Sequence, residues 1–164
     1  MFNINALQYV ENRAAELQKR KPAKIVAGSF PKGLERIGSM YERTKNQIIM
    51  NNDLFNQLSD MELIATVLHE GRHAYQWEQI QNPKNSLESK DLIDQWSQEF
   101  DSYEQGLANS LDEKYLTLAI EVDAVSYADL NMQNIAKVNL QIHPLMKDLV
   151  LKRQSEIKGR DHLV

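Results

Sequence analysis

Apolar and polar residues follow two different spacings along this chain, which predict short strands near the N-terminus and helices elsewhere. Apolar residues recur at helical spacing over residues 5–20, and Pro22 ends that helix. Three short apolar runs follow, and each is typical of a strand. The predicted strands are residues 24–27, 37–43 and 47–51, and a hairpin at residues 44–46 joins the last two.

Helical spacing returns after the third strand and continues towards the C-terminus. The predicted helices are a short turn at residues 54–58, longer helices at residues 60–80, 86–105 and 112–135, and a last helix from His143-Pro144 to about residue 158. A small sheet followed by several helices indicates an α+β fold, with about three strands packed against a mostly helical body. No repeat or linker interrupts the 164 residues, so we expect one domain over residues 1–164.

The most informative stretch is His69-Glu70-Gly71-Arg72-His73, an H-E-x-x-H pattern inside the predicted helix 60–80. Residues four apart lie on the same face of a helix, so His69 and His73 can direct both imidazoles at one ion. Glu70 lies beside them, where its carboxylate can act on a water molecule at that ion. Two neutral nitrogens with an adjacent base are what a hydrolytic zinc site needs.

A catalytic zinc site needs a third protein ligand, and the sequence excludes several sources. Gln76 and Gln79 occupy the places where a metzincin would continue its histidine pattern. The chain has no cysteine, which excludes disulfides, thiolate ligands and cysteine nucleophiles. His143 and His162 are the remaining histidines; we expect His143 at a helix N-terminus and His162 in the C-terminal tail.

A carboxylate is the stronger candidate for the third ligand, and Glu121 has the most informative surroundings. It lies in a largely apolar helical stripe, where a charged residue is rarely left unpaired. Ala124 and Ala128, one and two turns further on, are small enough to let this helix approach the motif helix closely. Asp101 and Glu104, in the more evenly polar helix before it, are the alternatives.

Composition removes several classes of function. The net charge of −4 gives no electrostatic reason to expect a nucleic acid or an anionic membrane as partner. No apolar run approaches the roughly 18 residues that a membrane span needs. Residues 1–21 lack the apolar core of a signal peptide, so we expect a cytoplasmic protein; export without a signal peptide is the alternative. No pattern indicates an oligomeric state.

These residues resemble small gluzincin-type zinc peptidases of bacterial phages, mobile elements and polymorphic toxins, and are similar to the ImmA/IrrE-like group. The likeness rests on the motif run at residues 68–76, on residues 96–103, and on the Glu-x-Asp-Ala-x-x-Tyr-Ala run that begins at Glu121. The strand at residues 47–51 also fits. Together the likeness covers about residues 37–130 and implies a zincin-like fold.

The resemblance implies Zn²⁺ bound by His69, His73 and Glu121, with Glu70 as the base that activates a zinc-bound water. It also implies hydrolysis of peptide bonds in a specific protein or peptide substrate. We expect that substrate to pair as an added strand with an edge at residues 47–51.

Two roles at the expected site have several candidates. The oxyanion of the reaction needs a donor, and Tyr127 is the residue that we select for it, with Tyr41 and Arg72 as alternatives. Larger gluzincins place an aspartate four residues after the third ligand, where it orients a zinc-binding histidine, but here that residue is Val125. Candidates for the missing partner of the histidines are Asp123, Asp101 and Asp129.

Two other functions fit the same residues. One is a zincin scaffold that binds a partner protein with little or no catalysis, and the other is a metal-dependent hydrolase of a non-peptide amide. The presence of Glu70 favours an enzyme, because a purely structural metal site does not need a base.

Overall fold

The structure, a computed structural model, describes residues 3–106 and 113–159, without the side chains of residues 103–106. Its helices and strands confirm the predicted α+β class. In chain order they are α1 (Ile4–Leu17), β1 (Lys24–Gly28), β2 (Ser39–Glu42), β3 (Gln47–Asn51), α2 (Asn52–Phe55), α3 (Asp60–Gln81), α4 (Lys90–Gly106), α5 (Glu113–Leu116), α6 (Ala119–Ala136) and α7 (Lys147–Ile157). Short 3₁₀ turns at Pro83–Asn85 and Pro144–Met146 precede α4 and α7.

The three strands form one mixed sheet in the order β1-β3-β2. β2 and β3 pair antiparallel, which confirms the predicted hairpin, and β1 pairs parallel with β3. β3 is therefore the central strand, and the prediction that residues 47–51 form an edge is wrong. The hairpin pattern reveals only β2 as a neighbour of β3. The second neighbour, β1, precedes the hairpin in sequence, and no local pattern indicates that it pairs with β3.

Helix α3 occupies the middle of the molecule and contacts α1, α4, α6 and β2. Its N-terminus has a capping box, in which the Ser59 side chain accepts from the Glu62 backbone and the Glu62 side chain accepts from the Ser59 backbone. Beyond the first turn, nearly every residue from Leu63 to Gln76 is buried or half-buried. A helix enclosed on this many sides can carry polar groups into the interior only if those groups have partners.

The predicted helix at residues 112–135 is wrong as a single element. Among the described residues the chain forms the short α5, then turns at Thr117 and Leu118, and α6 begins at Ala119. A carboxylate oxygen of Glu99 on α4 accepts from the Ile120 backbone N–H at 2.9 Å and so caps α6 from another helix. This cap fixes the first turn of α6, which carries Glu121.

A buried ion pair of the N-terminal segment packs against α3 at Gly71. Glu11 of α1 contacts Arg20 at 2.6 Å, and both side chains are almost fully buried. A Cβ atom at Gly71 would lie only 2.5 Å from the Glu11 carboxylate, so the glycine of the H-E-x-x-H run permits this close approach. Within the described residues, no helix is both long and apolar enough to cross a membrane.

Candidate metal centre

The two motif histidines lie one turn apart on the same face of α3, as predicted. Their Nε2 atoms are 3.2 Å apart, and the two rings meet edge to face with centroids 4.8 Å apart. His73 is fully buried, whereas about a quarter of the His69 side chain is exposed. The pair therefore presents two nitrogens to one point, and His69 forms the side of the site nearer to solvent.

Glu121 reaches both histidines from the first turn of α6. One carboxylate oxygen lies 3.3 Å from His73 Nε2, and the other lies 3.5 Å from His69 Nε2. Taken one ligand atom per residue, the three donors lie within 4.8 Å of one another. Ala124 and Ala128 are fully buried, and Ala128 lies in one apolar cluster with Ile64 and Leu68 of α3.

The chemistry of this group fits a divalent cation. Two atoms at about 2.1 Å from a tetrahedral zinc ion lie about 3.4 Å apart, close to the separation of the two Nε2 atoms. Two oxygens in the buried part of the site, Glu121 Oε1 and Glu70 Oε2, have no hydrogen-bond partner among the described residues. Two buried carboxylates beside two imidazoles place negative charge at one point in the interior, which a divalent cation would balance.

The pKa values of the group show the same attraction for positive charge. Burial alone would lower the pKa of His73, but Glu121, Glu70 and Gln76 outweigh it and raise that pKa to about 9. Burial alone would raise the pKa of Glu121, but the contacts with His69 and His73 hold it well below its usual value. The two carboxylates therefore favour positive charge at His73.

Glu70 is fixed by a residue that the sequence analysis did not select. Ser39, at the start of β2, donates its hydroxyl to Glu70 Oε1 at 2.7 Å. The second oxygen, Oε2, is the one without a partner, and Glu70 lines the same cavity as His69. One carboxylate oxygen is thus held by the sheet while the other is left for a ligand.

The cavity beside Glu70 has a volume of about 520 Å³. Its wall is largely apolar and comes from α2, α3, α6 and the segment after α6, with Leu58, Val125 and Leu140 as examples. Its polar residues include Ser39, the first residue of β2, and Arg36, in the segment that precedes β2. A cavity of this size can hold a few residues of an extended peptide against the motif helix.

The partner of His73 is Gln76, one turn further along α3. His73 Nδ1 lies 2.9 Å from Gln76 Oε1, and Gln76 Nε2 donates to Asp123 Oδ2 at 2.8 Å. Of the three candidate aspartates, Asp123 is the one that supports a motif histidine, and it does so indirectly, through Gln76. Asp101 instead pairs with Arg43 at 3.4 Å, and Asp129 accepts from the Leu140 backbone.

The candidates for the oxyanion donor lie away from the cavity. Tyr127 is fully buried in the core, and its ring lies against the Arg72 guanidinium, whose carbon is 4.9 Å from the ring centroid. Arg72 is itself fully buried and pairs with Asp123. Tyr41 is buried in β2, and its hydroxyl donates to Asn46. None of the three lines the cavity that holds Glu70.

The remaining ligand candidates are also located. His143 accepts from the Leu145 backbone at the start of the 3₁₀ turn before α7, the helix N-terminal position that was predicted. His162 and the side chain of Glu104 lie outside the described residues. Of the described residues, His69, His73 and Glu121 are the group that could hold a metal ion.

Gln76 and Ser39 were not selected from the sequence, and they differ in whether a local pattern could have indicated them. Gln76 lies three positions after His73, a spacing at which side chains on one helix interact, so the local pattern contained it. Ser39 is 31 positions from Glu70, and no local pattern connects the two.

Comparison with protein-family models finds no match for this chain. Comparisons with curated proteins and with solved structures also find no match.

Proposed function

We propose that the chain is a zinc-dependent peptidase of the gluzincin type, with His69, His73 and Glu121 as metal ligands and Glu70 as the general base. The observation that carries the proposal is the meeting of two imidazoles from α3 with a carboxylate from α6. Beside them lies a carboxylate with one oxygen held and the other unpartnered. A site that only stabilises the fold has no use for this fourth group.

Zinc, when bound, supplies a Lewis acid that polarises the scissile carbonyl and lowers the pKa of water. Glu70 takes a proton from the attacking water through Oε2, while Ser39 holds Oε1 in place. Water oxygen adds to the carbonyl carbon, the C–N bond breaks, and Glu70 gives the proton to the leaving amine. The proton on His73 Nε2 would be replaced by the metal, and Gln76, which accepts from Nδ1, would hold the His73 ring in place.

The position of the sheet favours an extended peptide as substrate. β2 is an edge strand, and its first residue is the one that contacts Glu70. A peptide strand added beside β2 would pass the carboxylate and the apolar cavity together. The strand-pairing hypothesis is therefore retained, with β2 in place of residues 47–51.

The proposal is tested by zinc titration together with cleavage of a fluorescence-quenched peptide library. We expect the purified protein to bind about one zinc ion per chain and Glu70→Gln to retain that zinc. Loss of the general base should lower kcat by a factor of about 10² to 10⁴. Glu16→Gln, at an exposed carboxylate on α1, is the matched control and should cleave like the parent protein.

Two outcomes would contradict this function. A protein that takes up no zinc on titration would remove the metal centre. Zinc binding without any cleavage, combined with normal binding of a partner protein by Glu70→Gln, would favour the non-catalytic scaffold.

A further inference from the structure

The C-terminal helix α7 contacts the metal centre through a continuous buried chain of polar contacts. The chain begins at His73, whose Nδ1 faces Gln76 Oε1 at 2.9 Å. It continues through Gln76 Nε2 to Asp123 Oδ2 at 2.8 Å, and Asp123 Oδ1 accepts from Arg153 Nε at 2.7 Å. Arg153 belongs to α7, which contributes none of the three ligands.

Gln76 has only one orientation that satisfies its amide. Its Nε2 donates to the Asp123 carboxylate and to the Ile120 carbonyl at 2.9 Å, and both of these groups can only accept. The amide oxygen must then face His73, and this oxygen can only accept as well. His73 Nδ1 therefore carries a hydrogen, and in the neutral ring the free lone pair lies on Nε2, which faces Glu121 and His69.

Asp123 is held by two arginines in addition to Gln76. Arg72 donates from Nε at 2.8 Å and from Nη2 at 3.1 Å, and Arg153 donates to the oxygen that receives Nη2. Burial raises the pKa of Asp123, but Arg72 and Arg153 outweigh that and hold it at about 2. Surrounded by these donors, the Asp123 carboxylate is the fixed acceptor of the Gln76 amide.

Glu88 completes the charge balance of this buried cluster. It lies 3.0 Å from Arg153 Nη2, an ion pair without hydrogen-bond alignment, and 3.6 Å from Arg72 Nη2. Two arginines thus face two buried carboxylates, and Arg153 also pairs with the exposed Glu156 at 3.0 Å. The side chains of Arg72, Asp123 and Glu88 are at most 3% exposed. Four charges with these contacts form a rigid support, because moving one would leave another unpaired in the interior.

We propose that Arg153 is a positioning residue for the metal centre and acts through Asp123 and Gln76 on His73. Its role is to keep Gln76 in the orientation that puts the hydrogen on Nδ1 and the lone pair on Nε2. The proposal rests on the metal binding in the proposed function and does not depend on the hydrolysis. It also makes α7 part of the site, although α7 lies outside the segment on which the family resemblance rests.

The test measures zinc affinity by competition with a chromophoric chelator. Gln76→Met removes the contact to His73 and should weaken zinc binding about 10- to 100-fold. Arg153→Met keeps the aliphatic length and should weaken it several-fold. If Arg153 acts through Gln76, the double variant should bind zinc no more weakly than Gln76→Met alone.

A second readout separates positioning from general loss of stability. Val150→Ala is the matched control. Val150 is fully buried on α7, but it belongs to the apolar cluster of Val122 and Met146 and not to the polar cluster around Asp123. It should lower the thermal midpoint while zinc affinity stays within about twofold. Long-range ¹H–¹⁵N spectra of the zinc-loaded parent protein should show His73 protonated at Nδ1, and this signal should weaken or exchange faster in Arg153→Met.

Two results would overturn the proposal. One is an Arg153→Met variant that binds zinc as tightly as Val150→Ala does. The other is a double variant whose loss equals the product of the two single losses. Failure to cleave any peptide would count against the peptidase alone, because zinc affinity and the histidine spectrum do not depend on catalysis.

Discussion

At the scale of single residues, specific contacts hold the side chains of the site in place. His73 shows this most clearly, since one nitrogen faces Gln76 and the other faces Glu121. Glu70 has the complementary arrangement, with one oxygen held by Ser39 and the other without a partner. Residues fixed in this way need little rearrangement when a ligand binds.

The raised pKa of His73 predicts that zinc binding depends on pH. The groups that face its ring are His69, Glu70 and Glu121, and the two carboxylates favour the protonated form. Because the folded pKa is about 9, zinc must displace a proton at neutral pH. Apparent zinc affinity should therefore rise about tenfold per pH unit between about pH 7 and pH 8.

Calorimetry in two buffers of different ionisation enthalpy measures that proton directly. About one proton should be released per zinc ion at about pH 7, and fewer above about pH 9. A zinc affinity that does not change over this range would contradict the assignment of a protonated His73.

Ser39 gives a second prediction at this scale. Ser39→Ala removes the hydrogen bond to Glu70 Oε1, so the carboxylate can rotate away from the attacking water. We expect kcat to fall about tenfold with zinc affinity unchanged, measured on the peptide that the parent protein cleaves best. Ser39→Thr keeps the hydroxyl and should retain most of the activity; an equal loss in both variants would argue against the role of the hydrogen bond.

The three side chains that meet at the candidate metal site could be selected from local patterns. His69 and His73 are one turn apart, and Glu121 is a charge in an apolar stripe, so each could be recognised within its own helix. Tyr127 shows the opposite case, because six residues place it about 120° around α6 from Glu121, on another face. Ser39 was not predictable, because its contact with Glu70 exists only after the sheet has packed on α3.

At the scale of secondary structure, the motif helix depends on its neighbours. Alanine normally favours a helix by up to about 1 kcal/mol over glycine. At Gly71 the added methyl group would instead meet the Glu11 carboxylate, which is buried and paired with Arg20. We expect Gly71→Ala to lower the free energy of unfolding by about 1 to 3 kcal/mol, measured by urea denaturation.

The double variant Glu11→Gln with Gly71→Ala provides the control. If the clash with the carboxylate is the cause, the two changes should not be additive, because both act on the same contact. A Gly71→Ala protein as stable as the parent would contradict the close approach of α1 and α3.

Helix limits were less predictable than helix positions. Periodicity over residues 112–135 is continuous, so it predicts one helix, yet the described chain breaks at Thr117 and Leu118. The cap of α6 comes from Glu99 on a different helix, and a tertiary contact of this kind leaves no local pattern. The strand order of the sheet was not predicted for the same reason. The parallel pairing of β1 with β3 is a tertiary contact, and the sequence of the hairpin does not indicate it.

At the scale of the whole molecule, the three ligands join two helices that contact each other extensively, α3 and α6. A cation bound to the folded protein and not to the unfolded chain adds stability that grows with its concentration. At free zinc about 1,000 times the dissociation constant, the gain should be about 4 kcal/mol. Differential scanning calorimetry should show a higher Tm with zinc and a return to the lower Tm with chelator.

The variant His73→Ala serves as the control for that measurement. Its Tm should respond little to zinc, because one of the three ligands is gone. A Tm of the parent protein that is the same with and without zinc would contradict a metal site in the folded state.

The enclosure of α3 determines how quickly different parts of the molecule exchange their amide hydrogens. The residues from Leu63 to Gln76 are covered by α1, α4, α6 and the sheet, so their amides can meet solvent only when most of that packing opens. The first turn of α3 and the outer surface of α7 lack this cover. Under mild denaturant, the backbone that carries both imidazoles should therefore be among the last parts of the chain to exchange.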